Sequence, residues 1–200
     1  MSLEQRIGYP KRLMRRVMDE HDRATEHDVA RGTAWYDLAL AEARRLDGAD
    51  GRKGAGVIAA LSPLAPWGKN LERASLAFER GTAEGLTFGL HTRRADRILA
   101  GESPLDVLGG RKVRSFYLCI MGCDWSVCVD RHALDIVVGH PTNDKEKKVL
   151  DLRGGYEYVA GIYREAAGIL QYEPRVLQAI TWTSWRARKG VEWADNRNGA

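Results

Sequence analysis

The chain has 200 residues, of which 44% are hydrophobic and 29% charged, and its formal net charge is +4 at pH 7. This balance is typical of a globular protein with one substantial core or two small helical lobes. No apolar run approaches the roughly 20 residues that a membrane helix needs, and no apolar segment follows the first six residues. We therefore expect a cytoplasmic protein without a signal peptide or membrane association.

The first half of the chain reads as helices joined by loops, because apolar residues recur at intervals of three and four. The four glycines of residues 47–56 indicate a loop, and Pro63 and Pro66 end the buried helix that follows. Trp35 and Leu38 are expected on the inward side of the second helix. The predicted helices of this half are residues 10–22, 28–46, 56–64 and 68–80.

The second half shows the same periodicity, interrupted by a polar connection over residues 140–148. Its predicted helices are residues 94–100, 104–108, 112–121, one that opens at Asp130, 156–170 and 174–188. Core packing is expected for Trp182 and Trp185 of the last helix, and residues 191–200 are expected to be a frayed tail.

A Gly109-Gly110 turn leads directly into the helix that carries Lys112. The backbone N–H groups at such a helix start have no helical acceptor and can hold a DNA phosphate without reading sequence. The positive end of the helix dipole disfavours the ammonium form of a lysine in this first turn. These features favour an amine that acts as a nucleophile, although a lysine after a glycine turn can also be an ordinary surface residue.

Asp130 follows Lys112 by eighteen positions and is predicted to be the N-cap of the next helix. The intervening helix carries the chain about 15 Å away, and an extended segment of seven residues can span about 23 Å, so the chain can return. A carboxylate at that point could activate a nucleophile or stabilise a sugar cation. A purely structural capping role is the alternative, and the two roles are compatible. His132 is expected to pack or cap.

The sequence Gly110-Arg111-Lys112, the apolar helix after it and Val129-Asp130-Arg131-His132 resemble the signature of the endonuclease III-like, helix–hairpin–helix DNA glycosylases. A second resemblance covers residues 57–62 and 70–74, which look like the family's helix that ends near its lesion-probing loop. Together these segments place the resemblance within residues 55–140.

The resemblance implies an all-α fold with two helical lobes and a cleft between them. The first lobe would comprise residues 57–140, with the hairpin at 107–112, and the second residues 1–56 and 141–190. It also implies a monomer that binds double-stranded DNA and flips out the target base. Because the family's four-cysteine motif is absent, we expect no iron–sulfur cluster. Cys119, Cys123 and Cys128 are then free, buried thiols, and we expect neither a metal nor another cofactor.

By the same resemblance, Lys112 would attack the sugar C1′ to form a Schiff base, and Asp130 would assist departure of the base. Leu108, Gly109 and Gly110 would grip a phosphate. Trp67 would stack on a base or wedge into the duplex, although simple packing is equally compatible with its position. The remaining predicted DNA contacts are Lys69, Arg111, Arg114 and Arg186.

Two departures from the family pattern suggest a compact, phage-like branch. The hairpin reads Val107-Leu108-Gly109-Gly110 rather than Pro-Gly-Val-Gly, and Leu64 or Pro66 stands where the lesion loop often has glutamine. Two other functions therefore stay open. The chain could be a phage-type enzyme that modifies a DNA base on the same fold, or a non-catalytic DNA-binding protein.

Overall fold

The computed structural model describes residues 2–190, and over these residues the fold is all-α, with no strand. The predicted tail, residues 191–200, lies outside the described residues. Between residues 2 and 190 no helix is both long enough and apolar enough to cross a membrane. The helices are α1 (Leu3–Ile7), α2 (Pro10–Asp22), α3 (Glu26–Asp47), α4 (Arg52–Leu61), α5 (Trp67–Arg80), α6 (Gly89–Leu99), α7 (Pro104–Val107), α8 (Arg111–Ile120), α9 (Arg131–Val138), α10 (Asp144–Lys147), α11 (Gly155–Leu170) and α12 (Pro174–Arg188), with a 3₁₀ turn at Lys148–Asp151.

The described residues form two compact units. We call residues 2–36 with 123–190 the terminal unit and residues 37–122 the central unit. These boundaries differ from the expected lobe of residues 57–140, because α9 packs against α2 and α12 and so belongs with the ends of the chain.

The core of the terminal unit is formed by α2, α9, α11 and α12. Leu13 and Val17 of α2 are fully buried, as the periodicity predicts. Tyr163 of α11 is also fully buried, and its hydroxyl donates a hydrogen bond of 3.2 Å to the carbonyl oxygen of Ala133 at the start of α9. The side chains of α11 therefore fix both the packing and the starting point of α9.

A buried carboxylate links α2 to α12 in the same unit. Glu20 is 1% exposed, accepts a hydrogen bond of 2.7 Å from the Ser184 hydroxyl and is paired with the guanidinium of Arg188. Because a carboxylate is costly to bury without partners, these contacts make the position of α12 specific.

The central unit is built around α4, whose residues from Gly54 to Leu61 are all buried. It packs against α5, α6, α7 and α8. The prediction of a loop over residues 47–56 is wrong from Arg52 onward, because two of its glycines serve close packing rather than a turn. A Cβ at Gly54 would overlap the carbonyl of Ala43, and one at Gly56 would lie 2.7 Å from Cγ of Pro104.

Other predicted elements differ in detail. Leu38 was expected on the inward side of α3 but is 63% exposed. Helix α6 begins at Gly89, earlier than expected. The polar connection over residues 140–148 contains α10, which is stabilised by a capping box between Asn143 and Glu146.

The close approach at Gly54 gives a stability prediction. Gly54→Ala should lower the free energy of unfolding by about 2 kcal/mol, because the added methyl group meets backbone that cannot move aside. The measurement is urea denaturation followed by circular dichroism.

The matched control is Gly161→Ala, also inside a helix, where a Cβ would meet nothing within 4 Å. This variant should gain roughly 0.5 to 1 kcal/mol from helix propensity. Equal stability of the two variants would contradict the packing described for α4.

Candidate functional site

Helices α7 and α8 are joined by a turn of three residues, 108–110, whose geometry favours glycine at position 110. Gly110 is the N-cap of α8 and has φ +82°, a backbone conformation that residues with a side chain rarely adopt. A Cβ at Gly109 would overlap the guanidinium of Arg94 from α6. The predicted tight turn in front of Lys112 is therefore present, and it is held against a second basic helix.

The turn leaves two backbone N–H groups open. Within residues 2–190, the N–H groups of Gly109 and Gly110 have no hydrogen-bond acceptor. Leu108 differs, since it is buried and its N–H donates to the Pro104 carbonyl at 2.8 Å. Its own carbonyl accepts a hydrogen bond of 3.4 Å from Arg114. Of the three turn residues, Gly109 and Gly110 therefore have N–H groups available to a ligand, and Leu108 does not.

Cationic side chains surround the open N–H groups. Arg111 and Lys112 are the first two residues of α8, and both are exposed, as is Arg114 one turn later. Arg94 was not among the predicted site residues. It comes from α6, and nothing in the sequence around the turn indicates that its guanidinium lies against Gly109.

Two other predicted DNA contacts lie at the start of α5 in the same unit. Trp67 is half-buried and meets Phe116 of α8 edge-on, with the ring centroids 6.5 Å apart. Lys69 forms an exposed ion pair of 2.7 Å with Glu72. Trp67 thus has a packing role within the unit, and Lys69 is exposed.

The loop between α4 and α5 presents an unusual leucine. Leu64 is 93% exposed and has φ +61°, although it is not a glycine. It lies between Pro63 and Pro66, which restrict the backbone on either side. The left-handed conformation costs about 1 kcal/mol for such a residue, so the loop holds an apolar side chain in solvent at an energetic cost.

Asp130 is the N-cap of α9, as predicted, and is half-buried. Its Oδ1 accepts a hydrogen bond of 2.8 Å from the backbone N–H of Ala133, and its Oδ2 accepts one of 2.9 Å from the indole N–H of Trp182. The Tyr156 hydroxyl holds the preceding extended segment by accepting from the N–H of Val129 at 3.0 Å and donating to the carbonyl of Val127 at 2.9 Å.

Trp182 is half-buried rather than a core residue and has its own set of contacts. The guanidinium of Arg186 lies 4.4 Å above its ring centroid, a cation–π arrangement. The ring of Trp35 lies 5.4 Å away at a tilt, and that of His132 lies 6.3 Å away, edge-on. Trp185 is buried, which confirms its expected core position.

His132 lies beside this ring and is half-buried. Burial lowers the pKa of His132 below its ordinary value of 6.5, although the negative charge of Asp130 acts in the opposite direction. Its Nδ1 lies 3.8 Å from a carboxylate oxygen of Asp135. Asp135 is itself engaged, since it accepts a hydrogen bond of 2.7 Å from the backbone N–H of Thr142.

The structure thus places the predicted site residues in two sets. Asp130 and Arg186 belong to the terminal unit, where each contacts Trp182. The expected burial of the cysteines is confirmed for Cys119 and Cys128, whereas Cys123 is partly exposed. The set in the central unit comprises Trp67, Lys69, Leu108, Gly109, Gly110, Arg111, Lys112 and Arg114.

The described residues define an all-α protein. One unit contains a glycine turn with two N–H groups that have no acceptor, and the other contains Asp130, whose carboxylate accepts two hydrogen bonds. By sequence, residues 4–189 match a family of unknown function, DUF7178, and the chain belongs to that family. Comparison with the curated proteins and with the solved structures gave no match.

The lowered pKa of His132 predicts a pH-dependent stability. Unfolded His132 titrates near pH 6.5 and the folded residue at lower pH, so the unfolded state binds more protons between these two values. The stabilisation that His132 contributes by staying neutral is therefore complete above about pH 6.5. It should fall as the pH drops toward the folded pKa, and His132→Phe should remove this part of the decrease.

The measurement is the thermal midpoint of both proteins from pH 7.5 to pH 5. His27→Gln, at an exposed position, is the control and should keep the dependence of the unmodified chain. If the thermal midpoint of His132→Phe fell with pH in parallel with that of the unmodified chain, the pH dependence could not be attributed to His132.

Proposed function

We propose that the chain is a DNA glycosylase of the helix–hairpin–helix type. It would extrude a damaged or modified base from duplex DNA, cleave its N-glycosidic bond and act as a lyase on the abasic product. The observation that carries the proposal is the exposed Lys112 in the first turn of α8, directly behind a turn with two open backbone N–H groups. The N-cap position of Asp130, at the separation found in the family's signature, supports it.

The turn at residues 108–110 has the chemistry of a phosphate site. The N–H groups of Gly109 and Gly110 carry a partial positive charge and have no acceptor, and the dipole of α8 adds to this charge. Arg94 and Arg111 supply full positive charges beside them. Such contacts fix the register of a duplex without reading its bases, as a repair enzyme that scans DNA requires.

In the proposed reaction, the lone pair of the Lys112 amine forms a bond to C1′ of the sugar while the bond from C1′ to the base breaks. The base leaves with that electron pair and takes up a proton from water. The Lys112 nitrogen then loses a proton and O4′ gains one as the C1′–O4′ bond opens, and the resemblance assigns assistance of the lysine's deprotonation to Asp130. The product is a Schiff base, from which elimination of the 3′ phosphate completes the lyase reaction.

Leu64 supports the extrusion step. A flipped base leaves a gap in the stack, and apolar side chains that enter the stack stabilise the deformed duplex. An exposed leucine held in a strained, proline-flanked loop suits this role, because little of its backbone freedom remains to be lost on binding.

The decisive experiment is borohydride trapping on a duplex that contains one abasic site, because this probe does not require knowledge of the target base. The unmodified chain should form a covalent protein–DNA adduct, and Lys112→Gln should lose at least about 99% of it, since a glutamine amide cannot form a Schiff base. Lys148→Gln, an exposed lysine in the terminal unit, is the matched control and should trap as the unmodified chain does.

Base release is measured on a panel of duplexes that each carry one altered base, among them uracil, thymine glycol, 8-oxoguanine and hypoxanthine. Mass spectrometry of the products separates the functions, because a glycosylase releases a free base whereas a base-modifying enzyme changes a nucleoside that stays in the strand. Absence of both an adduct and a chemical change, with DNA binding retained in Lys112→Gln, would indicate a non-catalytic DNA-binding protein.

The phosphate site is tested by the salt dependence of binding to a plain duplex. The slope of log K against log salt concentration is negative, and removing one phosphate contact makes it less steep by about 1. We expect this change for Arg111→Gln, measured by fluorescence anisotropy between 50 and 200 mM salt. The control is Arg80→Gln, an exposed arginine at the end of α5, which should leave the slope unchanged. Equal slopes for all three proteins would remove Arg111 from the interface.

A further inference from the structure

The carboxylate of Asp130 is held by donors from two helices that are distant in sequence. The backbone N–H of Ala133 donates to Oδ1 at 2.8 Å, and the indole N–H of Trp182 donates to Oδ2 at 2.9 Å. An N-cap aspartate needs only the first of these bonds. The second bond fixes the rotation of the carboxylate about its own axis, so that both oxygens have defined directions.

The indole that supplies the second bond is itself fixed. Arg186, one turn farther along α12, covers one side of the Trp182 ring at 4.4 Å from its centroid. Trp35 packs at 5.4 Å and His132 at 6.3 Å, both at an angle to the ring. Because three side chains contact the Trp182 ring, few rotamers are available to it, and its N–H stays directed at Oδ2 of Asp130.

The two donors leave part of the carboxylate available. An indole has one N–H and no acceptor, so Trp182 can only donate to Asp130. Each oxygen of Asp130 accepts one of the two hydrogen bonds and, with two acceptor sites on each oxygen, keeps the capacity to accept a second. The arrangement therefore orients the carboxylate without occupying it fully.

We propose that Trp182 is a positioning residue that orients the Asp130 carboxylate for the reaction, with Arg186 holding the indole in place. This inference rests on the proposed glycosylase function, because it assigns Trp182 a role in that chemistry. It adds a residue that the sequence analysis placed in the core, since the spacing of Trp182 and Trp185 on one helix resembles ordinary packing.

The test is a double-mutant cycle on base release, with the panel duplex that the unmodified chain processes fastest. Trp182→Phe keeps an aromatic ring and removes the N–H donor together with part of the indole's volume, a loss of volume that the Trp185→Phe control shares. We expect kcat to fall roughly 10- to 100-fold, the size expected from small misplacement of a catalytic group, with KM changed less than about threefold. In an Asp130→Asn background the same substitution should change kcat by less than about twofold.

Trp185→Phe is the matched control on the same helix. Trp185 is buried and contacts Arg188 and Lys189 rather than Asp130, so its variant should keep kcat within about twofold of the unmodified chain. Thermal unfolding of all variants separates loss of fold from loss of orientation.

A second measurement reads the contact without turnover. The chain has six tryptophans, and the indole N–H signal of Trp182 in a ¹⁵N spectrum of the full chain is the one missing from Trp182→Phe. That signal should move in Asp130→Asn, because its acceptor changes from a carboxylate to an amide. An unmoved signal would show that the hydrogen bond is not formed in solution and would overturn the inference.

The outcomes separate the two proposals. If the unmodified chain releases no base from any duplex and traps no abasic DNA, the proposed function fails and the role of Trp182 fails with it. If base release is found but Trp182→Phe retains full kcat, or loses as much in the Asp130→Asn background as in the unmodified chain, only the positioning role is overturned.

Discussion

Two N–H groups from different helices converge on the carboxylate of Asp130, and the local order of the terminal unit depends on this convergence. One bond starts α9, and the other ties that start to the middle of α12. Tyr156 holds the segment that leads into Asp130, so the carboxylate is fixed from the chain before it, from the helix after it and from a distant helix. An aspartate in this setting is already in one orientation before any ligand arrives, which reduces the cost of organising a site.

In the central unit, the helices pack closely because glycines stand at several of their contacts. Gly54 and Gly56 allow α4 to approach its neighbours closely, and Gly109 allows the same beside Arg94. Gly110 then provides the positive φ at which α8 begins. The N–H groups of Gly109 and Gly110 have no acceptor within residues 2–190, and the exposed Arg111 and Lys112 follow them directly. Glycine therefore serves close packing in α4 and the start of a helix in α8.

Periodicity predicted the helices whose apolar stripes are continuous, and α2 and α12 agree with their predicted bounds at both ends. It was wrong at the start of α4, because glycines that serve close packing look the same in sequence as glycines that form loops. Short-range patterns also identified Asp130 as an N-cap, since its partner lies three residues away. They did not identify the contacts of Trp182 or Arg94, because the partners of these residues come from other helices and only folding brings them together.

The two hydrogen bonds of Asp130 restrict which side chains can replace it. A glutamate would carry the charge one methylene farther and move it away from the N–H of Ala133. An asparagine would keep the cap but could turn its own N–H toward the indole. A change at Trp182 removes the donor and leaves an oxygen of Asp130 without its protein partner. A single substitution at position 130 or 182 is therefore enough to break the side-chain link between the start of α9 and the middle of α12.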